Sequence, residues 1–241
     1  MKWVTDKTGR FSVRPHYAQG ELDIDCEEIT HSILRTRNNG ALRFPITTDE
    51  LTVMIEKSGA DLDLYADLSS YGANVEAVTE FAYSKKPLVK ISSLLSEDPR
   101  MKNRLRTTLT HECGHVRFHR FLWDMKAANE YLFSGDHNAA QVCKREKIVS
   151  AGAHDWMEWQ AGYCCGALLM PISDLRSTCH EFMMRQGTGP FPINQVAPEA
   201  EALIQCIASE YEVSRDAARV RLIQMGRLSN DEAGLQGPLW G

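Results

Sequence analysis

His111-Glu112-Cys113-Gly114-His115 places two imidazoles four residues apart with a carboxylate beside the first. On a helix, positions four apart share a face with Cβ atoms about 6 Å apart, so both rings can address one divalent cation. Glu112 lies between them in rotation, where a general base would reach water at the cation's open position. Catalytic zinc usually takes three protein ligands and leaves the fourth position to solvent. The chemistry that fits this spacing is metal-assisted hydrolysis of a peptide bond. The bland alternative is an exposed polar helix face with incidental histidines. With eight histidines in 241 residues, chance seldom produces the pattern.

A third ligand must come from elsewhere in the chain, and Glu158 is the best placed by sequence. Ala161, Gly162, Cys165 and Gly166 follow it closely. Small side chains of this kind let two helices approach closely enough to share a metal. Two roles are open for Glu158, because Asp155-x-x-Glu158 also has capping-box spacing and the carboxylate could simply reach back to a helix start. His119 continues the four-residue series, but three ligands from one straight helix would span about 12 Å of axis at 1.5 Å per residue. It is expected beside the metal or facing substrate. His137 and His154 are weaker candidates. Cys113 and Cys143 raise a ligand question by neighbourhood alone, without CxxC spacing.

The elements that would position these residues can be read from periodicity and capping. A helix is expected over about Lys102 to Asp124. At about 100° per residue, Leu105, Leu109, Cys113, Val116 and Trp123 gather on one side, and His111, His115 and His119 form a stripe beside it. The first face is expected on a core and the second on a cleft. Upstream, Glu21 to Arg37 reads as a helix stopped at Asn38-Asn39-Gly40. Thr47-Thr48-Asp49-Glu50 has the form of a capping box opening a helix to Lys57. Three short strands follow at Asp61–Leu68, Val75–Tyr83 and Pro87–Ser92. The stretch from Ala127 to His154 shows no clean period. A helix from Asp155 is stopped by Pro171. Gly187 to Pro192 reads as a linker or ordered turn. Helical segments follow at Pro198–Glu212 and Ser214–Met225, before a Gly-rich tail after Ser229. The expected class is α+β, mostly helical with a small β-sheet, divided into residues 1–186 and a carboxy-terminal helical segment, 187–241.

Composition sets the outer limits. A chain of 241 residues with 43% hydrophobic and 24% charged residues can bury a real core. A net charge of −5 argues against broad electrostatic binding to nucleic acid or anionic membrane. No run approaches the roughly 18 apolar residues a membrane span needs, and Met1 to Arg10 lacks the apolar centre of a secretory signal. Seven scattered cysteines, including the vicinal Cys164 and Cys165, look like reduced thiols. A soluble, cytoplasmic protein without membrane contact is therefore expected.

Thr107-Thr108-Leu109-Thr110-His111-Glu112-Cys113-Gly114-His115, followed by His119, resembles the first motif of the ImmA/IrrE metallopeptidases. Glu158-x-x-Ala161, leading to Ala167-Leu168-Leu169-Met170-Pro171, looks like their second. The resemblance runs from about Pro87 to Pro171. It implies a zincin-like fold, Zn2+ held by His111, His115 and Glu158, and Glu112 as general base. It further implies a protein substrate, a helix-turn-helix repressor cleaved to relieve repression under stress in bacteria, mobile elements or phages. Tyr163 and His119 are candidate donors to a developing oxyanion. Ala208 to Leu222 reads as helix, turn, helix with Ser214 as N-cap. Arg215, Arg219 and Arg221 could meet phosphates there, although packing on the rest of the chain is the plainer reading. The competing class is a regulatory protein that holds zinc without catalysis and acts through this segment on DNA or a protein partner.

Overall fold

Thr47 opens its helix as the sequence indicates: Thr47 Oγ1 accepts from the Glu50 backbone N–H at 3.2 Å, and Glu50 Oε2 accepts from the Thr47 N–H at 2.7 Å. The computed structural model describes residues 1–82, 85–130, 138–144, 155–187 and 190–229. An amino-terminal hairpin, β1 (Lys2–Thr5) and β2 (Val13–His16), precedes helices α1 (Gln19–Arg37) and α2 (Thr48–Lys57). Strands β3 (Asp61–Ala66), β4 (Val75–Ala82) and β5 (Leu88–Ser92) lead through the short α3 (Ser93–Ser96) into the long α4 (Lys102–Glu130). β6 (Asn138–Lys144), α5 (Trp156–Leu169) and α6 (Ile172–Gln186) follow. β7 (Ile193–Asn194), α7 (Pro198–Glu210), α8 (Arg215–Gln224) and β8 (Leu228–Ser229) complete the order.

The main sheet has the order β3-β5-β4-β6, with β3 and β5 parallel and the other pairs antiparallel. The fold class is α+β. On β4, Ala77, Thr79 and Phe81 alternate along one face, as strand geometry requires. Ala77 joins the main core, Thr79 reaches Glu112 on α4, and Phe81 stacks on Trp123 of α4 with centroids 5.5 Å apart. α4 is thus set between β4 on one side and α5 on another.

The close approach of α4 and α5 has a local cause. A Cβ placed on Gly114 would lie 3.1 Å from Ala161 Cα and 3.3 Å from Cys164 Cβ. Glycine at 114 and alanine at 161 therefore permit a helix separation that larger side chains would prevent. Gly166 serves another neighbour, since its added Cβ would meet the Arg221 side chain on α8 at 3.5 Å.

Several elements differ from the expectation. α4 runs six residues past Asp124, to Glu130. Pro171 ends α5, as expected, but it also serves as N-cap of α6, a helix not among the expected elements; Gly187 at φ 62° closes it. The polar amino terminus forms a hairpin because Asp6 caps its turn, accepting from the N–H groups of Thr8 and Phe11 at 3.0 Å each. β6 gains its identity only by pairing with β4. The helices α1, α2, α7 and α8 and the three strands fall within two residues of their expected ends, Tyr83 lying outside the described residues. The main core draws on Leu22 and Leu34 of α1, Leu109 of α4, Leu168 of α5, and Leu203, Ile207 and Leu222 of the carboxy-terminal helices. Among the described residues, no helix is long and apolar enough to cross a membrane.

Candidate metal centre

Four of the polar residues on α4 singled out by sequence are buried along one stripe: His111, Glu112, His115 and His119. The stripe does not look into a cleft, as the wheel suggested. α5 lies against it, and the hairpin reaches α5 from outside: Trp156 Nε1 donates to Asp6 at 3.1 Å, and Gln160 Nε2 donates to the Pro15 carbonyl at 3.2 Å.

His111 Nε2 and His115 Nε2 are 3.0 Å apart. Glu158 comes down from the first turn of α5 between them, with Oε2 3.3 Å from His111 Nε2 and Oε1 3.6 Å from His115 Nε2. All three side chains are at most 1% exposed. Asp155 caps α5 by accepting from the Glu158 backbone N–H at 3.5 Å, so the backbone of Glu158 serves the cap while its carboxylate meets the imidazoles. A four-coordinate zinc with bonds of about 2.0–2.1 Å sets its ligands roughly 3.4 Å apart. The three separations bracket that value. Two imidazole nitrogens and a carboxylate are also a donor set that suits zinc. The residues fit the ion.

Glu112 adjoins the pair, with ligand-type atoms of His111, Glu112 and His115 all within 4.8 Å of one another. Its Oε2 accepts a hydrogen bond from Thr79 Oγ1 on β4. No sequence signal marked Thr79, which depends on how the sheet is laid on α4. Gln160 was also missed, although a signal existed: in the apolar run from Trp156 to Leu169, Glu158 and Gln160 are the two residues with a carboxyl or amide side chain.

His119 stands next to the cluster and does not enter it. Its Nδ1 is 3.0 Å from His115 Nδ1, its Nε2 is 3.0 Å from Gln160 Oε1, and its ring meets Trp156 edge-on at 5.5 Å. Burial pushes its pKa down to about 4, against a smaller opposing effect of the Gln160 hydrogen bond. Tyr163 is engaged elsewhere. Five residues beyond Glu158, it is turned by about 140° on the helix, and its hydroxyl donates to Asp23 at 2.9 Å. Burial pushes its pKa up. Cys113 faces Ser58, Sγ to Oγ 3.7 Å, and burial pushes its thiol up to about 12, so it stays protonated. Cys143 lies on β6 with its side chain outside the described residues, where His137 and His154 also fall.

A second group, Glu27, His31 and Asp174, also brings ligand-type atoms within 4.8 Å. Its members are half-buried and serve a helix junction. His31 Nε2 lies 2.6 Å from Asp174 Oδ2, and Glu27 accepts from the Ser173 N–H at 2.7 Å, so together they clasp α1 to the start of α6.

The arginines of the carboxy-terminal helices have carboxylate partners. Arg215 and Arg219 pair with Glu201, and Arg221 is buried against Asp23 at 2.7 Å. In comparisons with known proteins, no family model matches the chain and no curated protein matches it.

Proposed function

We propose that the chain is a zinc-dependent endopeptidase of zincin-like architecture, with His111, His115 and Glu158 as metal ligands and Glu112 as general base. The observation that carries the reading is the convergence of two imidazole nitrogens and a carboxylate at 3.0–3.6 Å, from two separate helices. Zinc in such a site supplies a Lewis acid and lowers the pKa of water from about 15.7 toward about 7. The remaining work falls to the chain. Thr79 holds Glu112 at Oε2, which orients Oε1 as the oxygen that takes a proton from the attacking water and passes it to the leaving amine. His119 and Gln160 support His115 from behind. The resemblance of the two motifs, in order, to those of the ImmA/IrrE metallopeptidases supports a protein substrate, and a helix-turn-helix repressor is the one that resemblance favours.

Burial favours a second reading. Every member of the cluster is closed to solvent, and structural zinc sites are closed while catalytic ones keep an open position. Hydrolysis requires that the cluster first be uncovered. A zinc-stabilised regulatory protein would need no such opening, but it would also have no use for Glu112. Metal content and proteolysis separate the two. The wild type should hold one zinc and cleave a repressor in a chelator-sensitive way. Glu112→Gln should keep the zinc and lose cleavage by about 10²-fold or more. Full activity in that variant would sink the general-base role. Stoichiometric zinc with no proteolysis in any wild-type preparation would favour the structural reading.

A further inference from the structure

We propose that Pro15, Gln160 and His119 form a directed hydrogen-bond chain that fixes the tautomer of His115, making Gln160 and His119 positioning residues for the cluster. The direction follows from what each group can donate. The Pro15 carbonyl only accepts, so the amide nitrogen of Gln160 must face it, at 3.2 Å. The amide oxygen then faces His119 Nε2 at 3.0 Å, and that nitrogen must carry a proton. His119 is wholly buried, and its contacts are an amide oxygen, an imidazole and an indole, none of them the counter-ion that a buried charged ring would need, so the ring is neutral. A neutral imidazole protonated at Nε2 is bare at Nδ1. His115 Nδ1, 3.0 Å from that bare nitrogen, is therefore the donor. His115 is left with an unprotonated Nε2 aimed at His111 and Glu158.

The consequence is a lone pair delivered to the cluster by a backbone carbonyl three groups away, on an element remote in sequence. Hydrogen bonds of this kind, from the distal nitrogen of a ligating histidine, fix its ring orientation and raise its basicity. The tautomer follows from the chain of contacts with or without a metal. Its use in holding one rests on the metal centre proposed above. The chain also explains why a glutamine is buried in an otherwise apolar stretch of α5, and why the hairpin is tied to α5 by backbone as well as by Trp156 and Asp6.

The test reads protonation sites directly. In the metal-free, full-length wild type with 15N-labelled histidine, long-range proton–nitrogen spectra should show His115 protonated at Nδ1 and His119 at Nε2. His115 protonated at Nε2 would overturn the proposal. In Gln160→Met, which keeps length and apolar packing but removes both amide groups, the two tautomers should mix. Zinc affinity against a competing chelator should fall roughly 10–100-fold. Unchanged affinity in that variant, with unchanged histidine spectra, would also overturn it. The wild-type spectra need no variant to fold. The expected tautomers in a protein that takes up no zinc would support the chain and overturn the metal centre instead.

Discussion

Glu112 is buried, and a buried carboxylate keeps a usable orientation only if something holds it. Thr79 does so from the neighbouring sheet, through a hydrogen bond to Oε2. Replacing Thr79 by valine preserves the shape of the side chain and removes the donor. The cost expected for losing a buried hydrogen bond is about 1–3 kcal/mol, or roughly 2–12 °C in melting temperature for a chain of this size. Zinc content should stay at one per chain, because His111, His115 and Glu158 are untouched, while cleavage should fall by about tenfold or more. A Thr79→Val protein with wild-type turnover would show that Glu112 needs no such support. This residue also marks the limit of what spacing can tell. His111, Glu112 and His115 were legible because helix geometry alone sets four-residue neighbours on one face. Thr79 was not, since its contact depends on the register of β4 against α4. Glu158 lies between these cases: its residue type was suggestive, and only the packing of α5 on α4 brings its carboxylate to the imidazoles.

At the scale of elements, the cluster depends on how closely two helices lie. Gly114 sits inside the motif on α4, where glycine costs about 1 kcal/mol of helix propensity relative to alanine. The close backbone of Ala161 explains its presence, since an added Cβ would lie 3.1 Å from Ala161 Cα. Gly114→Val would put three carbons where one is already crowded. Overpacking of this kind costs about 1–3 kcal/mol, and it should also draw Glu158 away from the imidazoles. The expected result is a lower melting temperature together with a loss of zinc affinity greater than in a Thr79→Val control. Undiminished zinc affinity would mean that the helix separation does not set the site. The element boundaries show the same division between local and tertiary signals. The capping box at Thr47 and the stop at Pro171 were plain in the sequence. α6 was missed although Leu175, Cys179 and Phe182 recur at helical spacing on its buried face, because its first residues were hidden behind a proline that ends one helix and begins the next. The hairpin was missed because four-residue strands carry little pattern, and Asp6 shows its role only once its turn has closed.

Across the whole molecule, the carboxy-terminal helices share the main core with the helices that carry the cluster. Their sequence suggested a helix-turn-helix that could offer arginines to phosphates. The fold uses Arg221 differently. Its Nη2 donates to Asp23 Oδ1 at 2.7 Å, its Nε donates to the Met170 carbonyl at 3.2 Å, and Tyr163 donates to the other oxygen of Asp23. One buried guanidinium thus ties α8 to α1 and to the end of α5, the helix that supplies Glu158. Removing one partner of a buried ion pair leaves the other charged and desolvated, which costs about 3–5 kcal/mol. Arg221→Met should therefore lower the melting temperature by about 6–20 °C. Pairing it with Asp23→Leu removes both charges, and apolar replacement of a buried pair is often neutral or better, so the double variant should recover part of the loss, the Tyr163 hydroxyl being left without its acceptor. The zinc affinity of the single variant should fall with stability, because the carboxyl end of α5 loses its anchor. Calorimetry of the two proteins decides the matter: if Arg221→Met melts like the wild type, the buried pair is not what fastens the carboxy-terminal helices to the core that carries the histidine cluster.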